Sequence, residues 1–108
     1  MNVILKKCES YEFDLVKNKV NEIFTEAKLL DKITNNTNVF VKLNLVGPFD
    51  PSLGITTHPI VVKAVLDILN TKTKNIIIGD NPATRDQIAT LKKCGIYDVI
   101  KEICGGTK

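Results

Sequence analysis

At 108 residues the chain has room for one domain, and its core must be thin because small domains bury a smaller share of their surface. Apolar residues make up 44% and charged residues 25%, ordinary globular proportions that exclude a disordered or fibrous class. The formal charge of +3 comes from 14 lysines and the single Arg85, spread along the chain rather than clustered as nucleic-acid binding requires.

No apolar run approaches the roughly 20 residues of a membrane-spanning helix, and Met1-Asn2-Val3-Ile4-Leu5-Lys6-Lys7 lacks the order of a signal peptide. A cytoplasmic location with no membrane partner is therefore expected. Cys8, Cys94 and Cys104 show no Cys-x-x-Cys spacing, and an odd number cannot all pair within one chain. Free or buried thiols are expected in preference to a metal or redox centre.

The short run Val3-Ile4-Leu5 predicts a first strand. Ser10 then serves as the expected N-cap of a helix, with Glu12 and Asp14 in the acidic first turn. Phe13, Val16, Val20, Ile23, Phe24, Ala27 and Leu30 recur at steps of three and four, one face of a helix of about five turns. The polar stretch Thr34 to Asn38 closes it before a second strand, Val39-Phe40-Val41-Lys42-Leu43.

Asn44 to Thr57 carries Gly47-Pro48, Asp50-Pro51 and Gly54 with no periodicity, and predicts a loop of functional length that is more mobile than the strands. Thr57 or His58 caps the next helix, with Pro59 in its first turn, where a missing amide proton is harmless. Ile60, Val61, Ala64, Val65, Ile68 and Leu69 are its expected buried face. A third strand, Ile76-Ile77-Ile78, runs into Gly79-Asp80-Asn81-Pro82. Thr84-Arg85-Asp86-Gln87 fits a capping box, Cys94-Gly95 stops that helix, and a shorter helix follows over Tyr97 to Ile103.

Strand and helix alternate three times. This pattern predicts an α/β fold: a three-layer, Rossmann-like parallel sheet of about three strands with flanking helices. In such sheets ligands sit outside the carboxyl ends of the strands. The long loop and the Gly79-Asp80-Asn81-Pro82 turn both fall at that edge.

Val41-Lys42-Leu43-Asn44-Leu45, Gly54-x-Thr56-Thr57-His58-Pro59, Val61-Val62-Lys63-Ala64-Val65 and Ile76-Ile77-Ile78-Gly79-Asp80-Asn81-Pro82 together resemble the prokaryotic domain of unknown function 362, from about Val39 to Ile103. The resemblance implies the N-terminal fragment of a longer α/β domain, often joined to a ferredoxin-like segment that binds iron-sulfur clusters. Asn81 stands where the family more often has serine, and no cysteine array for a cluster occurs in this sequence. An iron-sulfur cluster would therefore belong to a segment beyond Lys108, and no cofactor is expected within these residues.

Lys42 and Asn44 share one strand face, opposite Val39, Val41 and Leu43. Lys42 either neutralises an anionic ligand or reaches solvent from a sheet edge, and Asn44 supplies a directional hydrogen bond. His58, the single histidine, is a candidate general acid or base, or simply a helix cap. Thr57 is a cap that also borders a potential anion site at a helix N-terminus. Asp80 either holds a hydroxyl, an amine or a hard cation, or forms an Asx turn together with Asn81. His58 and Asp80 are thus the catalytic candidates, and Lys42, Asn44, Thr57 and Asn81 the ligand-binding ones, with Asn44, His58 and Asp80 expected to face one region. The leading expectation is part of an iron-sulfur-associated redox or metabolic enzyme that binds a small anionic ligand. The alternative is a non-catalytic ligand- or partner-binding module. An apolar parallel strand left at an edge also predicts self-association.

Overall fold

The computed structural model describes residues 3–44, 50–54, 56–79 and 87–104. Asp80, Asn81, the start of the predicted capping box and Gly105-Gly106 lie outside them, as does part of the loop expected to be mobile. Along the described chain run α1 (Phe13–Glu26), β1 (Val39–Lys42), α2 (Pro59–Asn70), β2 (Ile76–Gly79), α3 (Gln87–Lys93) and α4 (Ile96–Cys104).

The two strands are parallel, with Val39 opposite Ile76, Phe40 opposite Ile77, Val41 opposite Ile78 and Lys42 opposite Gly79. Parallel neighbours need a crossover, and α2 provides it. The predicted first strand does not form: Val3–Leu5 has no secondary structure, and Val3 and Leu5 are exposed. Three apolar residues followed by Lys6-Lys7 are too short a run to hold a ladder unless a neighbouring strand recruits them. Lys6 instead reaches Glu22 and Glu26 on α1.

Helix α1 starts at Phe13 with Glu12, not Ser10, in the cap position, and Ser10 Oγ accepts a hydrogen bond from the Glu12 amide at 3.2 Å. It also ends a turn early. Lys28 takes the left-handed conformation, φ 56°, while the Lys28 and Leu29 amides donate to Thr25 and Phe24 carbonyls. This is a Schellman end, and Leu30 passes into a 3-10 turn, Leu30–Lys32. A side chain in that conformation is strained. Lys28→Gly is therefore expected to stabilise the protein by about 0.5–1 kcal/mol, read as a higher urea midpoint at unchanged m-value.

Helix α2 packs against both α1 and α4, which explains why its buried set differs from the predicted stripe. Val62, Ala64, Leu66, Ile68 and Leu69 are buried, whereas Ile60, Val61 and Val65 are half-buried. A helix packed against two others needs apolar residues nearly all round. Leu43, Ile76 and Ile78 from the strand region join Val62, Leu66, Leu69, Leu91, Ile96 and Ile100 in one core. At the α3–α4 corner Gly95 has φ 82°, and a Cβ there would lie 3.3 Å from Pro59 Cγ. The predicted stop at Cys94-Gly95 thus also allows close packing against the start of α2.

Among the described residues the other sheet face is uncovered. Phe40 and Ile77, cross-strand neighbours, are 61% and 58% exposed. Among the described residues the helices that enter the core cover one face, so the arrangement there has two layers rather than the three expected. Strands as uniformly apolar as Val-Phe-Val and Ile-Ile-Ile suit burial on both faces, which is why the sequence pointed to a third layer.

Candidate functional site at the carboxyl end of the first strand

Just beyond β1, the chain is latched to the start of α2. The Asn44 amide donates to Thr57 Oγ1 at 2.9 Å, and the Thr57 amide donates back to the Asn44 carbonyl at 3.0 Å. The Leu43 amide donates to the Gly79 carbonyl at 2.9 Å, so the ends of both strands meet this latch. The intervening loop is also less shapeless than expected. Pro51–Leu53 forms a 3-10 turn whose cap, Asp50, accepts from the Ser52 amide at 2.9 Å. That amide holds the Asp50 carboxyl below its ordinary pKa.

His58 occupies the N-cap of α2. Its Nδ1 accepts from the Ile60 amide at 3.1 Å, which leaves the proton on Nε2. The ring stacks on Tyr11, with centroids 3.7 Å apart and planes 5° from parallel. Burial pushes the imidazole below its usual pKa, in keeping with a neutral acceptor at the cap. Pro59 has no amide proton, the Ile60 amide is taken by His58 Nδ1, and the Val61 amide donates to the His58 carbonyl. The first turn therefore satisfies its own donors, and recognition of an anion falls to the side chains around it.

A folded pKa below the unfolded value means that the unfolded chain binds the extra proton first. The His58 contribution to stability is complete above about pH 6.5, the ordinary imidazole value, and is lost as the pH falls through the depressed folded value. His58→Asn keeps a capping side chain that does not titrate. Urea unfolding between pH 5 and 8 is expected to show the decline in the parent protein and a flatter profile in His58→Asn.

Thr56 precedes the latch and is 7% exposed, yet its Oγ1 has no hydrogen-bond partner among the described residues. Buried hydroxyls are normally paired. Nothing in Thr56-Thr57-His58-Pro59 distinguishes the two threonines before their backbone directions are known. Lys42, the last residue of β1, and Asn44, two residues on, are both exposed. The structure thus brings Asn44, Thr57 and His58 together at the carboxyl end of β1, with Lys42 on the adjoining strand end. Among the described residues no group of three or more His, Cys, Asp or Glu is placed to hold a metal ion, and no helix is long and apolar enough to cross a membrane. Cys8 is exposed and Cys94 is buried.

These features define a small parallel α/β unit with polar residues gathered where the strands end. The domain of unknown function DUF362 matches residues 39–107, well over half the chain, and the protein belongs to that family. The matched segment begins at the first residue of β1 and includes the latch. No curated protein and no solved structure matches the chain.

Proposed function

We propose that this is a cytoplasmic ligand-binding unit that holds a small anion at the carboxyl edge of its sheet. Lys42 neutralises the ligand, Asn44 and the Thr57 hydroxyl give directional hydrogen bonds, and His58 donates from Nε2. Asp80 and Asn81, which follow β2 in sequence, supply groups from the other side. The latch between Asn44 and Thr57 carries this reading, because it holds the backbone of Asn44 and Thr57, the residue before His58, at one strand end, where open α/β sheets bind their ligands.

The use of His58 Nδ1 as a cap acceptor favours binding over acid-base catalysis, since protonation at that nitrogen would break the cap. Calorimetric titration with inorganic phosphate at pH 7.5 tests the proposal. The expected result is saturable binding that weakens at least tenfold in Lys42→Gln and in His58→Asn, which retains the cap. Equal affinity in all three proteins would contradict it.

The same reading includes a second copy of the chain as partner. The bare sheet face with Phe40 and Ile77 at its centre supports self-association, since exposed apolar patches mark interfaces. Sedimentation over a wide concentration range should give a rising mass that Phe40→Lys abolishes, and a monomer throughout would refute this partner.

A further inference from the structure

Residues 6–11 form neither helix nor strand and cross the flank of α1 like a strap. One end is held by Lys6, whose ammonium pairs with Glu26 and, at 3.7 Å, with Glu22. The other is held by the stack of Tyr11 on His58. Between these anchors Cys8 and Ser10 make local hydrogen bonds, from Cys8 Sγ to the Ser10 carbonyl and from the Glu12 amide to Ser10 Oγ. Under the strap lies a cavity of about 450 Å³, floored by Val16, Val20 and Ile23 of α1 and by Val61 of α2.

The floor residues belong to the apolar stripe of α1, and Val20 and Ile23 remain only half-buried. Water over such a floor has few polar partners. The volume falls within the range of small-molecule sites, which combine an apolar lining with a few polar groups. The rim carries two ammonium groups, Lys6 from the strap and Lys19 from α1. Lys6 is committed to its two glutamates, whereas Lys19 sits 3.9 Å from Glu22, a long ion pair that can yield to a better-placed anion. The strap adds Glu9, which pairs with Lys7 at 3.4 Å.

We infer that this cavity binds a small amphipathic anion, an apolar body with one carboxylate, whose body lies on Val16, Val20, Ile23 and Val61 and whose charge meets Lys19. Tyr11, which lines this cavity and stacks on His58, connects it to the strand-end anion site. Octanoate is a suitable probe, with octanol as the uncharged control of the same apolar body.

Amide and methyl NMR spectra of the full chain, titrated with each, test the inference. Octanoate should give saturable shifts at residues 8–11, Val16, Val20, Ile23 and Val61, with octanol at least fivefold weaker. Lys19→Gln should bring octanoate down to the affinity of octanol, and Val20→Trp, which fills the cavity, should abolish both. If Val20→Trp loses spectral dispersion, Ile23→Phe gives the same reading with a smaller increase in volume. No saturable shift, shifts centred on Phe40 and Ile77 instead, equal affinity for the two probes, or binding unchanged in a folded cavity-filling variant would each overturn it. Unchanged phosphate binding in Val20→Trp would show that the two sites stand or fall separately.

Discussion

Truncation of Leu66 to alanine is expected to destabilise the protein by about 2–5 kcal/mol, the range for a fully buried leucine whose cavity cannot collapse. Leu66 is 0% exposed, at the centre of the one helix that packs against both α1 and α4, and it shares its core with Leu43, Ile76 and Ile78 from the strand region. A shift of any one wall to fill the gap would open a contact on another. A small domain has only about 5–15 kcal/mol of net stability, so the variant should approach unfolding at physiological temperature. Urea unfolding followed by circular dichroism measures the change. A loss below about 1 kcal/mol would mean that α2 is not the central packing element.

Thr73→Val is expected to cost about 1–3 kcal/mol, although the side chains have nearly the same shape. Thr73 is 2% exposed, and its hydroxyl bridges two segments at once. It donates to the Thr37 carbonyl at 2.8 Å and accepts from the Asn75 amide at 3.1 Å. It thereby ties the segment entering β1 to the segment entering β2, next to the first ladder bond, from the Val39 amide to the Asn75 carbonyl. Valine removes both bonds while leaving a carbonyl and an amide behind in a partly buried site. Thr73→Ser, which keeps the hydroxyl, should recover most of the loss. Equal destabilisation by serine and valine would assign the effect to the methyl group instead.

The elements legible in the sequence were those with long or chemically distinct signals. The 3.6-residue repeat of α1, the Pro59 start of α2, the two apolar strands and the Gly95 stop all correspond to observed features. The failures have local causes. Val3–Leu5 has strand composition but no strand beside it, and Lys28 breaks α1 in a conformation usually left to glycine, which no propensity scale assigns to lysine. The buried face of α2 was misplaced, Val62 and Leu66 being buried instead of Ile60, Val61 and Val65, because sequence periodicity cannot show that a second helix, α4, also packs against it.

The site was legible to the extent that it depends on local order. His58 next to Pro59 announces a helix start, and its cap geometry follows from that. Asn44 and Thr57 were each singled out as polar residues at one sheet edge, but their mutual hydrogen bonds join positions 13 apart and depend on the loop folding back. The orphaned hydroxyl of Thr56 and the cavity beneath residues 6–11 were invisible for the same reason. Both arise from tertiary enclosure, not from any pattern of residue types.

The most direct test of the strand-end site is a titration of isotope-labelled protein with inorganic phosphate at pH 7.5, followed by amide NMR. Saturable shifts are expected at the amides of Lys42, Asn44, Thr56, Thr57 and His58, with the opposite strand ends around Asn38 and Asn75 unmoved. Shifts spread over the lysine-bearing surface, or no saturation at all, would contradict it.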